Sequence, residues 1–176
     1  MSAVGTPSVR VDLAQVWQLL EQIADPEIPV VSLRELGILR EVRDGASGLE
    51  VIITPTYNGC PAMEQIEDDI RAALAAQGYS AQVLTQLAPA WTTDWMTAEA
   101  HDKLRAYGIA PPHCAHSDST DSAVVRFAPR HKPETVACPQ CGSHNTTETS
   151  HFGSTACKAL YRCLDCMEPF DYFKPY

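Results

Sequence analysis

The sequence predicts an α/β fold, a small mixed sheet with helices on one side, followed by a C-terminal metal-holding ribbon. Two observations carry this. Between residues 13 and 87, apolar positions recur at helical spacing, alternate twice, return to helical spacing and alternate once more, so the elements run helix, strand, strand, helix, strand. Near the end, Cys138-Pro139-Gln140-Cys141 and Cys163-Leu164-Asp165-Cys166 enclose 21 residues. Two such pairs facing each other offer four thiolates in a tetrahedron.

Taken in order, residues 1–10 read as a loose lead-in. Leu13, Val16, Trp17, Leu20 and Ile23 mark one face of an amphipathic helix that Asp25-Pro26 ends. In Asp25-Pro26-Glu27-Ile28-Pro29 the prolines fix an extended turn, and Asp25 and Glu27 either cap backbone N–H groups or act as polar ligands. Leu36 to Arg43 reads as a strand, Asp44 to Gly48 as a turn, and Leu49 to Thr54 as the hairpin partner. Because Leu49, Val51, Ile52 and Ile53 are all apolar, that second strand is expected to be buried on both faces. Met63, Ile66, Ile70 and Leu74 then define a helix beginning at about Pro61 and capped by Gly78, and Ala81, Val83, Thr85 and Leu87 a third strand. Thr93 to Tyr107 reads as a further helix with Trp95, Met96, Ala100, Leu104 and Tyr107 inward and Gly108 at its end. The resulting division is an α/β domain over 1–110, a linker with a short strand (Ala123 to Phe127) over 111–130, and the ribbon over 131–176.

Thr54-Pro55-Thr56-Tyr57-Asn58-Gly59-Cys60-Pro61 joins the buried strand to the helix. That places Cys60 at the helix N-cap, where free N–H groups and the helix dipole favour thiolate over thiol and lower its pKa. Gly59 allows the sharp turn, and Thr54, Thr56, Pro61 and Asp25 support it. Glu64, Glu67, Asp68 and Asp69 oppose a second anion nearby. The alternative is a small buried apolar cysteine closing the turn.

In the ribbon, Cys138, Cys141, Cys163 and Cys166 are the expected ligands of one structural Zn²⁺, a closed site with no position for substrate. A rubredoxin-like iron site or a redox dithiol pair competes with this reading. Met167 stands where such a knuckle often has glycine. His144, His151 and Cys157 are spare donors read as non-ligands, with a role for Cys157 outside zinc binding left open, and His113, Cys114 and His116 as linker residues. Phe170 and Tyr172 alternate and close the ribbon core. Since metal binding is folding free energy in such a module, chelation is expected to unfold the tail first and spare the α/β core.

With 176 residues and 45% apolar content, the chain can bury one moderate core and a small appendage. No apolar run approaches the ~20 residues that span a bilayer, and Met1 to Arg10 lacks a signal-peptide core, so a cytoplasmic protein is expected. The net charge of −9 with no basic face argues against nucleic acid. Seven cysteines in a reducing compartment argue for metal ligation or thiol chemistry before disulfides.

Asp25-Pro26-Glu27-Ile28-Pro29, Leu36-Gly37-Ile38, Thr54-Pro55-Thr56 with Cys60-Pro61, and Trp91-Thr92-Thr93-Asp94-Trp95-Met96 resemble the metal-sulfur cluster biosynthesis family, whose cysteine corresponds to Cys60. Lys103 to Pro112 together with the tail, including Phe152 to Lys158, resembles the PaaD group within it. The resemblance implies an iron-sulfur cluster assembly domain-like fold. It also implies an accessory or maturation role in the phenylacetyl-CoA epoxidase system of aerobic phenylacetate catabolism, without catalysis of its own. The implied cofactors are structural Zn²⁺ and a transient iron or iron-sulfur cluster at Cys60; the implied partners are the oxygenase or the iron-sulfur flavin reductase component, and the sequence leaves open whether the chain forms a homodimer. Two other readings stay beside it: a structural subunit without chemistry, and a thiol enzyme using Cys60, against which no histidine lies near Cys60 in sequence and no Cys-x-x-Cys adjoins it, the nearness of His101 in the fold being left open.

Overall fold

A computed structural model describes residues 11–45, 48–113 and 135–176. The lead-in, Ala46 and Ser47 of the hairpin turn, Cys114, His116 and the Ala123 to Phe127 strand lie outside the described residues.

Asp12 starts α1 (Leu13–Leu20) by accepting the N–H groups of Ala14 at 3.0 Å and Gln15 at 3.3 Å, an N-cap that satisfies donors the helix leaves open. Val16 and Leu20 are fully buried. The helix stops there, short of Ile23, whose carbonyl instead accepts from Leu33 N–H at 2.9 Å. Ser32 and Glu35 exchange side-chain-to-backbone hydrogen bonds of 2.8 and 3.2 Å. This reciprocal cap holds Ser32 to Gly37 in a turn, so β1 (Leu39–Gly45) begins three residues later than expected.

β1 pairs antiparallel with β2 (Gly48–Ile53), Leu39 opposite Ile53, and β2 pairs parallel with β3 (Ala81–Thr85), Val51 opposite Val83. The order β1-β2-β3 makes the sheet mixed, with β2 central. Val51, Ile52 and Ile53 are all buried, as a strand covered on both faces requires. α2 (Met63–Ala76) provides the crossover to β3 and buries Ile66, Ile70 and Leu74. Leu87 falls beyond β3 and is exposed.

The expected helix over Thr93 to Tyr107 is two pieces: a 3₁₀ turn (Thr93–Trp95), then α3 (Ala98–Tyr107). Met96 between them is extended, and Thr97 re-starts the helix by accepting from Ala100 N–H at 3.2 Å. A threonine free to cap competes with continuation of the helix. Ala100 and Leu104 face the core, whereas Tyr107 is 53% exposed.

After Gly108, β4 (Ile109–Ala110) joins a second sheet formed otherwise by the tail: β5 (Thr146–Ser150), β6 (Lys158–Cys163) and β7 (Pro169–Phe173), in the order β4-β7-β6-β5. β4 is parallel to β7, Ile109 opposite Asp171. Phe170 and Tyr172 point into a small ribbon core with Val136 and Ala159. The alternate residue Phe173 and nearby Cys157 belong instead to the large apolar cluster that holds Val16, Val51 and Ile70. Trp91, tied by its indole N–H to Leu36 carbonyl at 2.9 Å, receives Phe173 with ring centroids 6.0 Å apart and Tyr176 at 6.3 Å.

Candidate metal centre and a paired-thiol cavity

The knuckles form as their sequences require. Gly142 turns back at φ +75°, its N–H reaching Cys138 carbonyl at 2.9 Å, and Cys163 N–H reaches Glu168 carbonyl at 3.0 Å. In the second knuckle Met167 takes the corresponding left-handed conformation at φ +68°. Asp165 clamps the two knuckles by accepting from Ser143 hydroxyl and from Asn145 Nδ2, the latter at 2.7 Å.

All four sulfurs lie within 4.8 Å of one another; Cys138 and Cys166 Sγ are 3.8 Å apart, Cys141 and Cys163 Sγ 3.6 Å. A tetrahedron with Zn–S bonds of ~2.3 Å has edges of about 3.8 Å, so the arrangement fits a four-thiolate metal site. Cys163 Sγ accepts from Cys166 N–H at 3.5 Å. That bond, with a further N–H from Asp165, lowers the Cys163 thiol, while the crowding of sulfurs raises those of Cys141 and Cys166, so without an ion the four do not all ionise together. His144 pairs with Thr135 and His151 with Glu148 instead.

The Cys60 turn differs from expectation in one respect. The N-cap of α2 is Ala62, in helical conformation and without a side-chain cap, and Cys60 precedes it in a turn where its carbonyl accepts from Met63 N–H at 3.3 Å. With Pro61 inside this turn, the helix and its dipole begin farther on, and burial decides the electrostatics. Burial pushes the Cys60 thiol above its ordinary range; Ala62 N–H and the Tyr57 hydroxyl act against that, and the Glu27 and Asp25 carboxylates add to it. The acids that matter are therefore these two and not those on α2.

Asp25 is buried, and its Oδ1 accepts from Glu27 and Ile28 N–H, both at 2.9 Å. It caps its own turn. Burial raises its pKa despite those two donors, and burial followed by the Asp25 charge raises that of Glu27. Thr54 and Thr56 are buried in the loop floor, and Thr54 Oγ1 has no hydrogen-bond partner among the described residues. Gly59 sits at φ +84°, a conformation that favours glycine, and Pro61 is exposed.

Asp25, Glu27, Thr56 and Cys60 line one enclosed cavity, together with Cys157 from the ribbon. Among the described residues no histidine lines it. His101 faces a separate cleft with Arg105, His113 and Cys138, so it does not share the cavity of Cys60. Burial also raises the Cys157 thiol, whose Sγ lies 3.0 Å from Thr155 Oγ1.

A protein from Escherichia coli, named as a candidate D subunit of 1,2-phenylacetyl-CoA epoxidase, is 48% identical over 99% of this chain and 97% of its own length. The chain belongs to the PaaD family. Residues 122–174 match the PaaD zinc beta ribbon domain, and residues 13–84 match the iron-sulfur cluster assembly protein family. A Porphyromonas gingivalis Fe-S protein maturation auxiliary factor is 35% identical over 48% of this chain and 83% of its own. A Bacillus anthracis domain of unknown function overlays 52% of this chain and 89% of its own at 25% identity, with a TM-score of 0.47.

In this member of the PaaD family the residue whose role the sequence leaves open, and whose place in the Cys60 cavity it does not reveal, is Cys157. It stands outside both knuckles, and its partners come from residues 25 to 60, so no spacing reveals the pairing. The available signal was its failure to fit either Cys-x-x-Cys pair while lying a few residues before one of them.

Proposed function

We propose that the chain is an accessory maturation factor of the phenylacetyl-CoA epoxidase system, assisting insertion of iron or an iron-sulfur cluster into the oxygenase or the iron-sulfur flavin reductase in the cytoplasm. The observation that carries this reading is the joining, in one chain, of an iron-sulfur assembly match over residues 13–84 to near-full-length similarity with the epoxidase D subunit. Cys60 is the working thiol, half-buried beside two carboxylates. Cys138, Cys141, Cys163 and Cys166 hold structural Zn²⁺, supported by sulfur separations of 3.6 and 3.8 Å. When bound, that ion is coordinatively closed and supplies fold rather than chemistry. Asp25, Thr54, Thr56, Gly59 and Pro61 shape the Cys60 loop, and Tyr57 leans its hydroxyl toward the thiol. Protonated at neutral pH, that thiol is an unreactive nucleophile by itself, which disfavours the thiol-enzyme reading.

The word subunit in the relative's name favours a second reading, a structural component without chemistry. One experiment separates them. Cells lacking the protein are expected to make oxygenase and reductase poor in iron or acid-labile sulfide, and Cys60→Ala is expected to match the deletion while retaining ribbon zinc. Fully metallated components in both strains leave only the structural reading.

A further inference from the structure

We propose that Cys60, Cys157 and the Glu27 carboxylate form a second metal site, one that holds a single thiophilic divalent cation of the ferrous class. This rests on the maturation reading and names the cargo at its site: one bare ion, not an assembled cluster.

Three parts of the chain converge there. Glu27 comes from the loop after α1, Cys60 from the turn after β2, and Cys157 from the ribbon immediately before β6. Cys157 belongs to no knuckle and is fixed by other means: its carbonyl accepts from Lys174 N–H at 2.9 Å, and Tyr176 hydroxyl donates to the preceding Ala156 carbonyl at 3.3 Å. Both thiols are free. Of the two acids, Asp25 is committed to its own turn through both backbone bonds. Among the described residues the Glu27 carboxylate has no backbone hydrogen bond; its partner is the Thr155 hydroxyl, which also lies 3.0 Å from Cys157 Sγ. It is the carboxylate at liberty to ligate.

Size and charge select the ligand. The cavity leaves about 10 Å³ for the centre of a water-sized sphere, roughly one water's worth, which admits an ion but not several iron and sulfide atoms. Its walls include Ile28, Leu36, Ile38, Ile66 and Phe173. In so apolar a place an uncompensated charge is costly. A divalent ion binding two thiols forms two metal–sulfur bonds, breaks two S–H bonds and releases two protons to solvent, so ion and thiolates together are neutral; the Glu27 carboxylate then adds one negative charge, which the ammonium of Lys158, acting on Glu27 electrostatically, offsets. Thiolates select iron, zinc or copper(I) over magnesium or calcium. Among the described residues, only the four knuckle cysteines have ligand atoms all within 4.8 Å of one another. The Cys60, Cys157 and Glu27 donors are not such a set, so binding requires their side chains to turn toward the ion, and this site is expected to hold metal more weakly than the ribbon does.

The test uses the full chain, loaded with one zinc per chain at the ribbon, kept anaerobic and titrated with Co²⁺ while zinc content is followed by elemental analysis. The parent is expected to take one further cobalt, with sulfur-to-cobalt charge-transfer absorption and zinc unchanged. Cys157→Ser and Cys60→Ser should each weaken the second site at least tenfold and halve the absorption per bound cobalt; Glu27→Gln should weaken it severalfold without changing that absorption. Should serine at 157 disturb folding, Cys157→Ala is read in its place. No second cobalt in the parent, or undiminished affinity and absorption without the Cys157 sulfur, overturns the proposal. In cells, fully metallated epoxidase components with Cys157→Ser but not with Cys60→Ala would sink this site while leaving the maturation role standing. A second cobalt in the parent with normal components in deletion cells would do the reverse.

Discussion

Phe173→Ala tests whether the ribbon holds up the α/β core. Phe173 closes β7 of the ribbon, yet it is 1% exposed inside the cluster that contains Val16, Val51 and Ile70, with its ring against Trp91. Truncating a buried phenylalanine costs about 3–5 kcal/mol, transfer and cavity together. In a chain of this length each kcal/mol moves the melting temperature by roughly 2–4 °C, so the core transition should fall by about 6–20 °C. Thermal melts at fixed zinc, followed by far-ultraviolet circular dichroism of the helices, read the core without depending on Trp91, which touches the substituted ring. Leu164→Ala, at a half-exposed ribbon position, should stay within about 0.5 kcal/mol of the parent. A Phe173→Ala core transition within ~2 °C of the parent would show that the ribbon folds apart from the core, and the reasoning fails. The same contact revises the sequence expectation for chelation. Losing the metal frees β7 and withdraws Phe173 and Cys157 together, so the core transition should drop along with the tail.

Met167 holds a left-handed conformation at φ +68° with its side chain 52% exposed. Met167→Gly removes strain of about 1–2 kcal/mol against roughly 0.5–1 kcal/mol of added backbone freedom, so a small gain in ribbon stability is expected in zinc-loaded melts; a loss contradicts it. Burial holds Cys60 protonated, so alkylation of a variant lacking Cys157 but keeping its zinc should be slow at neutral pH. Its rate should rise only above the range of an ordinary cysteine, and a thiol already fully reactive at pH 7 would restore the N-cap expectation. Asp25 has a raised pKa in the fold, so it binds its proton more tightly folded than unfolded and stability falls as pH rises through its ordinary range toward the folded value. Asp25→Asn keeps an oxygen for both backbone N–H groups and needs no charge. Its melting temperature should match or exceed the parent's at neutral pH, with the difference fading in acid; a lower neutral value means the charge itself stabilises.

What could be read from the sequence is what neighbours in the chain decide. The apolar run from Leu49 to Ile53 can only sit in a sheet covered on both faces, and β2 does so. Cys-x-x-Cys places two sulfurs on one turn wherever that turn goes, so the four-sulfur cluster follows once the turns face each other. The errors lie where a cap or a distant segment overrules what periodicity alone suggests. Thr97 caps a new helix start and divides a run whose periodicity alone reads as one helix. At Cys60 the local signals, a helix N-terminus and four acids on α2, point to a contest between dipole and like charge. The chain instead settles the matter with Asp25 and Glu27 from the first loop and with apolar cover from β7, carried there by the parallel pairing of β7 with β4. A pairing between a two-residue strand before the linker and a strand at the chain's end leaves no periodic trace, because each segment looks complete by itself. That same pairing brings Cys157 to the cavity that Cys60 lines. The burial that raises the Cys60 thiol and the presence of a second sulfur in its cavity therefore have a common origin in the docking of the ribbon, so any change that loosens β7 should alter both together.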